Sequence, residues 1–483
     1  MPGSGAGPAL ALVKEVCMST RQEGAPSRPI SSHDDLVEWF AVGCKPANEW
    51  RIGTEHEKIV FRTDDLAPVP YAGPRGIRAI MEQLIARYGW LPIMEGDNII
   101  ALRRPDAEPM ATVSLEPGGQ FELSGAPLET MHEVGDETQL HLDQVRAIGE
   151  DLKIGFLGLG FSPKWKLAET PVMPKRRYAV MSRYMPKVGK GGLEMMYRTA
   201  TIQVNLDFAS EADMVKKLRV SLALQPVATA IFAASPFTEG KPNGFLSLRS
   251  EVWRDTDPNR TGLLPFVFEQ GMSFDRYVEY ALDVPMYFIY RDGTYIDVAG
   301  ASFRDFMGGK LATVLNRPEL AKLQPTIDDW SDHITTIFPE VRMKRFLEMR
   351  GADGGRWRRI CALPAFWVGL LYDQSSLDAA YDLIKGWTAE ERQTLRNGVP
   401  RLALKAPFRK YRMQDIAKEV TAMSAAGLKA RARLNAKGAD ERMYLEPVQQ
   451  IVESGRTIAE DLLEAYEKKW NRNIDRIFTE FAF

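Results

Sequence analysis

A short strand-like segment, RIGTEHEKIVF at residues 51–61, has charged residues in its middle and apolar residues towards its ends. Side chains alternate between the two faces of a strand, so Glu55 and Glu57 point the same way, about 7 Å apart along the chain. The segment therefore predicts a β-strand with one face that carries two carboxylates. The contacts of that face are the main question that the sequence raises.

The same alternation of polar and apolar residues recurs in three further segments. The polar positions that share a face are Gln120 and Glu122 in SLEPGGQFELSG, with Glu116 ahead of them across a Pro-Gly-Gly bend; Gln203, Asn205 and Asp207 in TIQVNLDF; and Glu348 and Arg350 in RFLEMRGADGG. For one strand alone, the solvent face of an antiparallel sheet is the simpler explanation. Across four strands, side chains with oxygen atoms dominate, which is unusual for a solvent face.

Carboxylates gathered on one face repel each other unless cations lie between them. Mg²⁺ prefers carboxylate oxygens and keeps water or phosphate oxygens in its other positions. The four segments together therefore predict a site for ATP and Mg²⁺ on one face of a sheet.

Strands and helices are interspersed without a regular βαβ rhythm, which favours an α+β fold around a mostly antiparallel sheet. Residues 1–32 are rich in Gly, Pro and Ser and are predicted to form a flexible tail ahead of one catalytic domain at 33–483. Its last part, from about residue 372, is predicted to be helix-rich. Pro226 is predicted to kink or divide a helix that begins near Glu211.

The composition excludes some classes of protein. The 483-residue chain has a net charge of −2, which does not suit a nucleic-acid or membrane-surface protein. No segment approaches the roughly 18 apolar residues of a membrane helix. Three cysteines do not make a disulfide framework. We therefore predict a cytoplasmic, monomeric or homodimeric protein that acts on small molecules.

Several other features have two interpretations each. Five histidines without an HExxH motif argue against a zinc hydrolase, and His56 is expected to be structural because it faces away from Glu55. The Gly-rich segments 189–192 and 351–355 either form turns or contact phosphate, and neither is a P-loop. Basic residues between 175 and 190 form either a solvated surface or a lid over phosphates.

Five segments carry a resemblance to a known family: WRIGTEHEK, SLEPGGQFELSGAPLET, KPNGFLSLRSEVW, DVPMYFIYRDG and PEVRMKRFLEMRGADGGRWRRICALPAFWVGLLYD. From about residue 36 to the end, the chain resembles the plant and proteobacterial type of glutamate–cysteine ligase. The resemblance implies a glutamine synthetase-like fold, in which a curved antiparallel sheet has helices on its outer face and the active site on its concave face. It also implies that ATP and Mg²⁺ drive the joining of glutamate to cysteine, the first step of glutathione synthesis.

Site residues follow from the resemblance one motif at a time. Arg350 is expected beside the transferred phosphate, and Arg249 is expected to bind the α-carboxylate of glutamate, since a guanidinium binds a carboxylate in bidentate fashion. Gln203 and Asn205 are expected to contact substrate, nucleotide or metal. The expected metal ligands are Glu55, Glu57, Glu116, Glu122 and Glu348.

The chain departs from the family at a redox disulfide. Cys361 resembles one half of it, but Gly135 stands where its partner is expected, so no intramolecular redox switch is predicted. A Cys44 to Cys361 bridge stays open as an alternative. Two other functions also stay open: a ligase with another amine acceptor, and a non-catalytic protein that keeps the fold.

Overall fold

The computed structural model describes residues 27–105 and 110–483, and its strands pair antiparallel throughout. The described strands are β1 (Ile52–Arg62), β2 (Leu91–Glu95), β3 (Asn98–Arg103), β4 (Thr112–Leu115), β5 (Phe121–Ser124), β6 (Ile154–Leu157), β7 (Thr201–Leu206), β8 (Phe237–Thr238), β9 (Lys241–Pro242), β10 (Phe288–Arg291), β11 (Thr294–Asp297), β12 (Val341–Met343), β13 (Leu347–Asp353), β14 (Pro407–Phe408) and β15 (Tyr411–Arg412).

One large sheet holds the strands that the sequence singles out. Its order is β12-β13-β7-β1-β5-β4-β3-β2, and β6 pairs with the far end of β1. The polar-faced strands β13, β7, β1 and β5 are thus direct neighbours. Their register sets Glu57 opposite Glu122 and Glu55 opposite Gln203, so the polar positions form one continuous patch.

Helices account for most of the remaining structure. The described helices are α1 (His33–Ala41), α2 (Ile77–Tyr88), α3 (Met131–Leu152), α4 (Arg176–Tyr184), α5 (Gly192–Arg198), α6 (Glu211–Ile231), α7 (Leu248–Trp253), α8 (Phe274–Asp283), α9 (Phe303–Met307), α10 (Leu311–Val314), α11 (Ile327–Thr335), α12 (Trp357–Leu371), α13 (Gln374–Ile384), α14 (Ala389–Leu402), α15 (Met413–Arg431), α16 (Glu446–Ser454), α17 (Ile458–Lys468) and α18 (Ile477–Glu480). Within the described ranges, none of them combines the length and apolar character needed to cross a membrane.

The apolar face of the sheet packs against α3, α6 and α12. Ile202, Val204 and Leu206 on β7 point into this layer and are almost fully buried. Burial of such side chains contributes about 1.5–3 kcal/mol each, which fixes the register and so holds the polar positions on the opposite face. The prediction of an α+β fold around an antiparallel sheet, with helices packed on its apolar face, is confirmed.

Local structure adds detail to the sequence prediction in three places. Helix α6 is continuous through Pro226, so the proline does not divide it. The helix-rich part begins earlier than residue 372, at α12, whose residues are buried on nearly every side and so show no amphipathic pattern. The basic segment around residues 176–198 forms the helices α4 and α5.

The predicted tail lies mostly outside the described residues, which begin at Ser27. Within the remainder, the amide of Ile30 donates a hydrogen bond to the carbonyl of Pro325, and Pro29 forms a β-bridge with Thr326. Ser32 is then the N-cap residue of α1. The division at residue 33 stays a prediction.

Both described cysteines, Cys44 and Cys361, are free thiols. Cys361 lies on α12, and burial raises the pKa of its thiol to about 12, so it is not a reactive thiolate at neutral pH. We expect the activity that the resemblance implies to be equal, within about 1.5-fold, with and without dithiothreitol, because reduction has no bridge between these two residues to open. A large loss of activity on reduction would contradict this expectation.

Candidate functional site

A cavity of about 130 Å³ lies on the polar face of the sheet. Strands β13, β7, β1 and β5 form its floor, and side chains from α4, α5 and α7 form its walls. The cavity brings together eight of the nine residues that the sequence predicts for the site: Glu55, Glu57, Glu116, Glu122, Gln203, Arg249, Glu348 and Arg350.

Asn205 is the ninth predicted residue, and it does not line the cavity. Its Nδ2 atom donates a hydrogen bond of 2.8 Å to Oε1 of Glu55. On β7 it lies opposite Gly53, where a Cβ atom would come within 3.2 Å of the Asn205 Cβ. Asn205 therefore orients a carboxylate of the floor and is not placed to contact substrate directly.

Four carboxylates of the floor are desolvated and close enough to repel each other. Burial and the charges of Glu348 and Glu122 raise the pKa of Glu55 to about 7, and burial with the charge of Glu116 does the same for Glu122. Burial and the charges of Glu122 and Glu116 raise the pKa of Glu57 well above its usual value. Burial also raises the pKa of Glu116, against the pull of Lys175 and Arg177. The floor therefore favours any ligand that brings positive charge.

Glu348 differs from the other carboxylates because three cations surround it. Arg342 donates two hydrogen bonds to it, of 2.8 and 2.9 Å, Lys344 Nζ lies 2.9 Å away, and Arg350 is paired with the same carboxylate. Burial alone would raise the pKa of Glu348, but these cations outweigh it and lower the pKa. The sequence predicts Glu348 as a metal ligand. In the structure its carboxylate oxygens are paired with cationic side chains of the protein.

The two predicted arginines are held by specific contacts. Arg350 donates a hydrogen bond of 2.6 Å from Nη1 to Oε1 of Gln203, in addition to its pairing with Glu348. Arg249 is 2% exposed, and its Nη2 donates to the carbonyl of Arg350 at 2.8 Å. Gln203 and Glu348 therefore fix where Arg350 points, and Arg350 supports Arg249 in turn.

A buried carboxylate that sequence reasoning missed anchors the helix of Arg249. Asp353, at the end of β13, accepts hydrogen bonds of 2.7 Å from Ser235 Oγ and 2.8 Å from Ser247 Oγ. Ser247 is the N-cap residue of α7, which carries Arg249. The sequence contains one sign of this residue: Asp353 is a carboxylate two positions after Gly351, at the end of a polar-faced strand.

The walls add residues that the strand pattern does not reveal. Tyr178 on α4 lines the cavity and donates a hydrogen bond of 2.7 Å to the carbonyl of Leu115, and Trp253 on α7 also lines it. Arg177 lines the cavity as well, whereas Arg183 pairs with Asp297 at the exposed surface. The basic segment thus supplies one side chain to the cavity and another to the exposed surface, and its role as a lid over phosphates stays a prediction.

The histidines and the Gly-rich segments have structural roles. His56 lies on the face opposite the cavity, where the buried Lys58 Nζ contacts its Nδ1 at 3.1 Å. A Cβ at Gly189 would meet the carbonyl of Thr256 at 2.3 Å, and one at Gly354 would meet that of Leu159 at the same distance. These glycines permit close packing of the backbone.

The donor set of the floor suits a hard divalent cation. In residues 27–105 and 110–483, no three acidic, histidine or cysteine side chains stand close enough to hold one metal ion as they are. Yet the buried Glu55 and Glu122 and the half-buried Glu57 and Glu116 are carboxylates with raised pKa values on one floor, and cations between them would remove their mutual repulsion. The residues present therefore fit Mg²⁺ by their chemistry.

Comparison with known proteins agrees with this geometry. The model of glutamate–cysteine ligase family 2 (GCS2) matches residues 51–480. The chain is 55% identical over 450 residues to chloroplastic glutamate–cysteine ligase B of Oryza sativa subsp. japonica, covering 93% of this chain and 87% of that protein. It is 52% identical over 472 residues to the chloroplastic glutamate–cysteine ligase of Arabidopsis thaliana, covering 98% and 87%.

A search of solved structures gives a more distant similarity. A glutamate–cysteine ligase from Francisella tularensis, solved in complex with AMP, aligns with a TM-score of 0.47 and 12% sequence identity, covering 91% of this chain and 90% of that one.

The predicted cytoplasmic location is contradicted by these comparisons. The plant relatives are named chloroplastic, not cytoplasmic. The prediction rested on the low cysteine count, which indicates a reducing environment and does not distinguish one such compartment from another.

Proposed function

The chain belongs to glutamate–cysteine ligase family 2, and we propose that it joins the γ-carboxylate of glutamate to the amine of cysteine at the expense of ATP, the first step of glutathione biosynthesis. One observation carries the proposal: four buried or half-buried carboxylates and two arginines meet on the floor and wall of one cavity. We place the catalytic domain at residues 33–483.

The chemistry requires an activated carboxylate. Transfer of the γ-phosphoryl group of ATP to an oxygen of the glutamate γ-carboxylate gives γ-glutamyl phosphate and ADP. The amine of cysteine then attacks the acyl carbon, so that the C–N bond forms, phosphate leaves and the amine loses a proton. Positioning and charge neutralisation supply most of the rate enhancement in such phosphoryl transfers.

The residues of the cavity have different roles in this reaction. Glu55, Glu57, Glu116 and Glu122 would hold Mg²⁺, which when bound supplies positive charge to the phosphates of ATP. Arg350, aimed by Gln203 and Glu348, stabilises charge on the transferring phosphoryl group. Glu348 thus acts as a positioning residue. Arg249 binds the α-carboxylate of glutamate in our assignment.

The test of this function is ADP release with glutamate and a panel of amines. We expect cysteine to stimulate ADP release well above the other amines, with one γ-glutamylcysteine formed per ADP. Equal stimulation by cysteine and by unrelated amines would instead identify an ATP-dependent glutamate ligase with another acceptor. No glutamate-dependent ADP release with any amine would contradict both.

The raised pKa values predict a pH-dependent effect of Mg²⁺ on stability. Glu55 and Glu122 have pKa values of about 7 in the folded chain against 4.5 ordinarily, so the folded chain binds more protons between these values. Their contribution to stability is present below about pH 4.5 and is lost as the pH rises through 7. Once these groups are ionised, Mg²⁺ removes their repulsion.

We therefore expect Mg²⁺ to raise the Tm by about 3 °C at pH 8 and by about 1 °C or less at pH 5.5, measured by scanning calorimetry. Ca²⁺ serves as a second hard cation and K⁺ at equal ionic strength as the control. An equal Tm shift at both pH values would argue against Mg²⁺ binding by these carboxylates.

A further inference from the structure

Strand β13 has a β-bulge at Arg350 and Gly351, directly beside the cavity. The residue pairs before and after these two leave a single residue of β7, Gln203, opposite both of them. A β-bulge changes the direction of a side chain and is common next to active sites. Because Arg350 is itself part of the bulge, the geometry of the bulge determines where its guanidinium lies in the cavity.

Side chains from outside the sheet bind both carbonyl groups of the bulge. The carbonyl of Arg350 accepts a hydrogen bond of 2.8 Å from Nη2 of Arg249, on α7. The carbonyl of Gly351 accepts one of 2.9 Å from Oγ1 of Thr229, on α6. The same hydroxyl lies 3.1 Å from the carbonyl of Gln225 in its own helix, so its contact with Gly351 is the shorter one. Thr229 is 2% exposed, and water therefore does not compete for this bond.

Gln225 on α6 fills the space next to Gly351. A Cβ atom at Gly351 would lie 2.7 Å from both Cγ and Cδ of Gln225, closer than such atoms approach in proteins. Gln225 is almost fully buried, and its side-chain amide has no hydrogen-bond partner in the described part of the chain. Its contribution to the bulge is therefore steric. It limits how closely the bulge approaches α6, and it requires a glycine at the start of the segment 351–355.

We propose that Thr229 and Gln225 are positioning residues that hold the bulge and so place the guanidinium of Arg350 at the transferring phosphoryl group. The inference rests on the proposed function, since it takes Arg350 as the residue that stabilises charge on that group. Neither α6 side chain lines the cavity, because α6 packs against the other face of the sheet. A displacement of about 1 Å at a reacting centre can cost about 100-fold in rate, so a small movement of the bulge is enough.

Thr229→Val tests the hydroxyl group, because valine keeps the shape of threonine and removes the donor. We expect kcat to fall about tenfold while the KM values for ATP, glutamate and cysteine stay within about twofold, since Arg350 acts on the transition state. Thr229→Ser keeps the donor and should have a kcat within about threefold of wild type. Steady-state rates measured well below the Tm of every variant give these values.

A double-mutant cycle tests whether Thr229 acts through Arg350. Arg350→Met alone should lower kcat about 100-fold or more, and adding Thr229→Val should lower it by less than about twofold further. A general effect of Thr229 on the structure of the sheet would lower kcat by the same factor in both backgrounds.

Ser424→Ala is the matched control. Ser424 on α15 is fully buried, and its Oγ donates a hydrogen bond of 2.8 Å to the carbonyl of Phe366 on α12. The substitution also removes a buried hydroxyl-to-carbonyl bond between two elements, but neither residue lines the cavity. We expect this variant to lose about as much stability as Thr229→Val and to keep its kcat.

The contact between Gly351 and Gln225 gives a second test, which also applies if Thr229→Val does not fold. Gly351→Ala forces the bulge away from Gln225, and we expect kcat to fall about 30-fold or more. Gln225→Ala empties the space that the new Cβ needs. Combining Gln225→Ala with Gly351→Ala should therefore recover about tenfold of the lost rate.

Two results would overturn the inference. One is an unchanged kcat in Thr229→Val, or in Gly351→Ala if Thr229→Val does not fold. The other is a loss of kcat by the same factor when Thr229→Val is made in the wild type and in Arg350→Met. Failure of Gln225→Ala to restore any rate would remove Gln225 from the assignment.

Failure of the proposed function gives a different result. A wild-type enzyme without glutamate-dependent ADP release refutes that function, and wild-type kcat in Arg350→Met refutes the role of Arg350. An active wild type with a large loss in Arg350→Met leaves both intact, whatever the Thr229 variants show.

Discussion

Glu55→Gln and Glu57→Gln each lower kcat by two or more orders of magnitude, and both raise the Mg²⁺ concentration needed for half-maximal rate, as loss of a metal ligand does. The two side chains share one face of β1 and line the cavity, and Glu55 is buried while Glu57 is half-buried. Glutamine keeps the size of the side chain and removes its charge. Steady-state rates over a Mg²⁺ titration measure both effects.

The free energy of unfolding distinguishes loss of a metal ligand from damage to the fold. Removing one of several repelling carboxylates leaves the free energy of unfolding unchanged or raises it slightly at neutral pH. Glu137→Gln is the matched control, because Glu137 is a buried carboxylate with a raised pKa that does not line the cavity. Wild-type activity in both cavity variants would show that the floor does not bind the metal.

Glu348→Gln has the second large effect, and it acts on stability as well as on rate. The substitution leaves Arg342, Lys344 and Arg350 without their shared counter-charge inside the protein. Breaking a buried ion pair from one side costs about 3–5 kcal/mol. We expect denaturant unfolding to show a loss of this size and kcat to fall at least 100-fold, because Arg350 loses the contact that aims it.

The pH dependence gives an independent check on Glu348. Its folded pKa is lowered from 4.5, so its contribution to stability is present above that pH and is lost as the pH falls. The wild-type and Glu348→Gln curves should therefore converge in acid. Glu441→Gln, which breaks the Arg431 pair far from the cavity, should lose stability but keep its kcat. If Glu348→Gln lost no more stability than a surface variant, the three cations would be paired elsewhere.

The faces of the strands were predictable because alternation is a local property of the chain. Glu55 and Glu57 share a face whatever β1 pairs with. The order β13-β7-β1-β5 was not predictable, since strand pairing depends on contacts between segments up to about 150 residues apart. Asn205 is an example. Alternation predicts correctly which face of β7 its side chain lies on, but its hydrogen bond to Glu55 depends on the pairing of β7 with β1.

The role of Glu348 was within reach of the sequence. Arg342, Lys344, Glu348 and Arg350 alternate along VRMKRFLEMR, so a hairpin there places two cations beside the carboxylate. The prediction of Glu348 as a metal ligand rests on the family resemblance and does not take this alternation into account. Tyr178 and Trp253 had no comparable signal, because they lie on short helices whose docking over the sheet depends on tertiary packing.

The strand order has a consequence for how the enzyme forms. The floor needs β1 and β5 from the first quarter of the chain and β13 from the third, with β7 between them. Loops this long close slowly, since the entropy of the intervening chain is lost before the strands pair. Catalysis should therefore appear in a refolding time course only when β13 docks on β7, later than the recovery of helical circular dichroism.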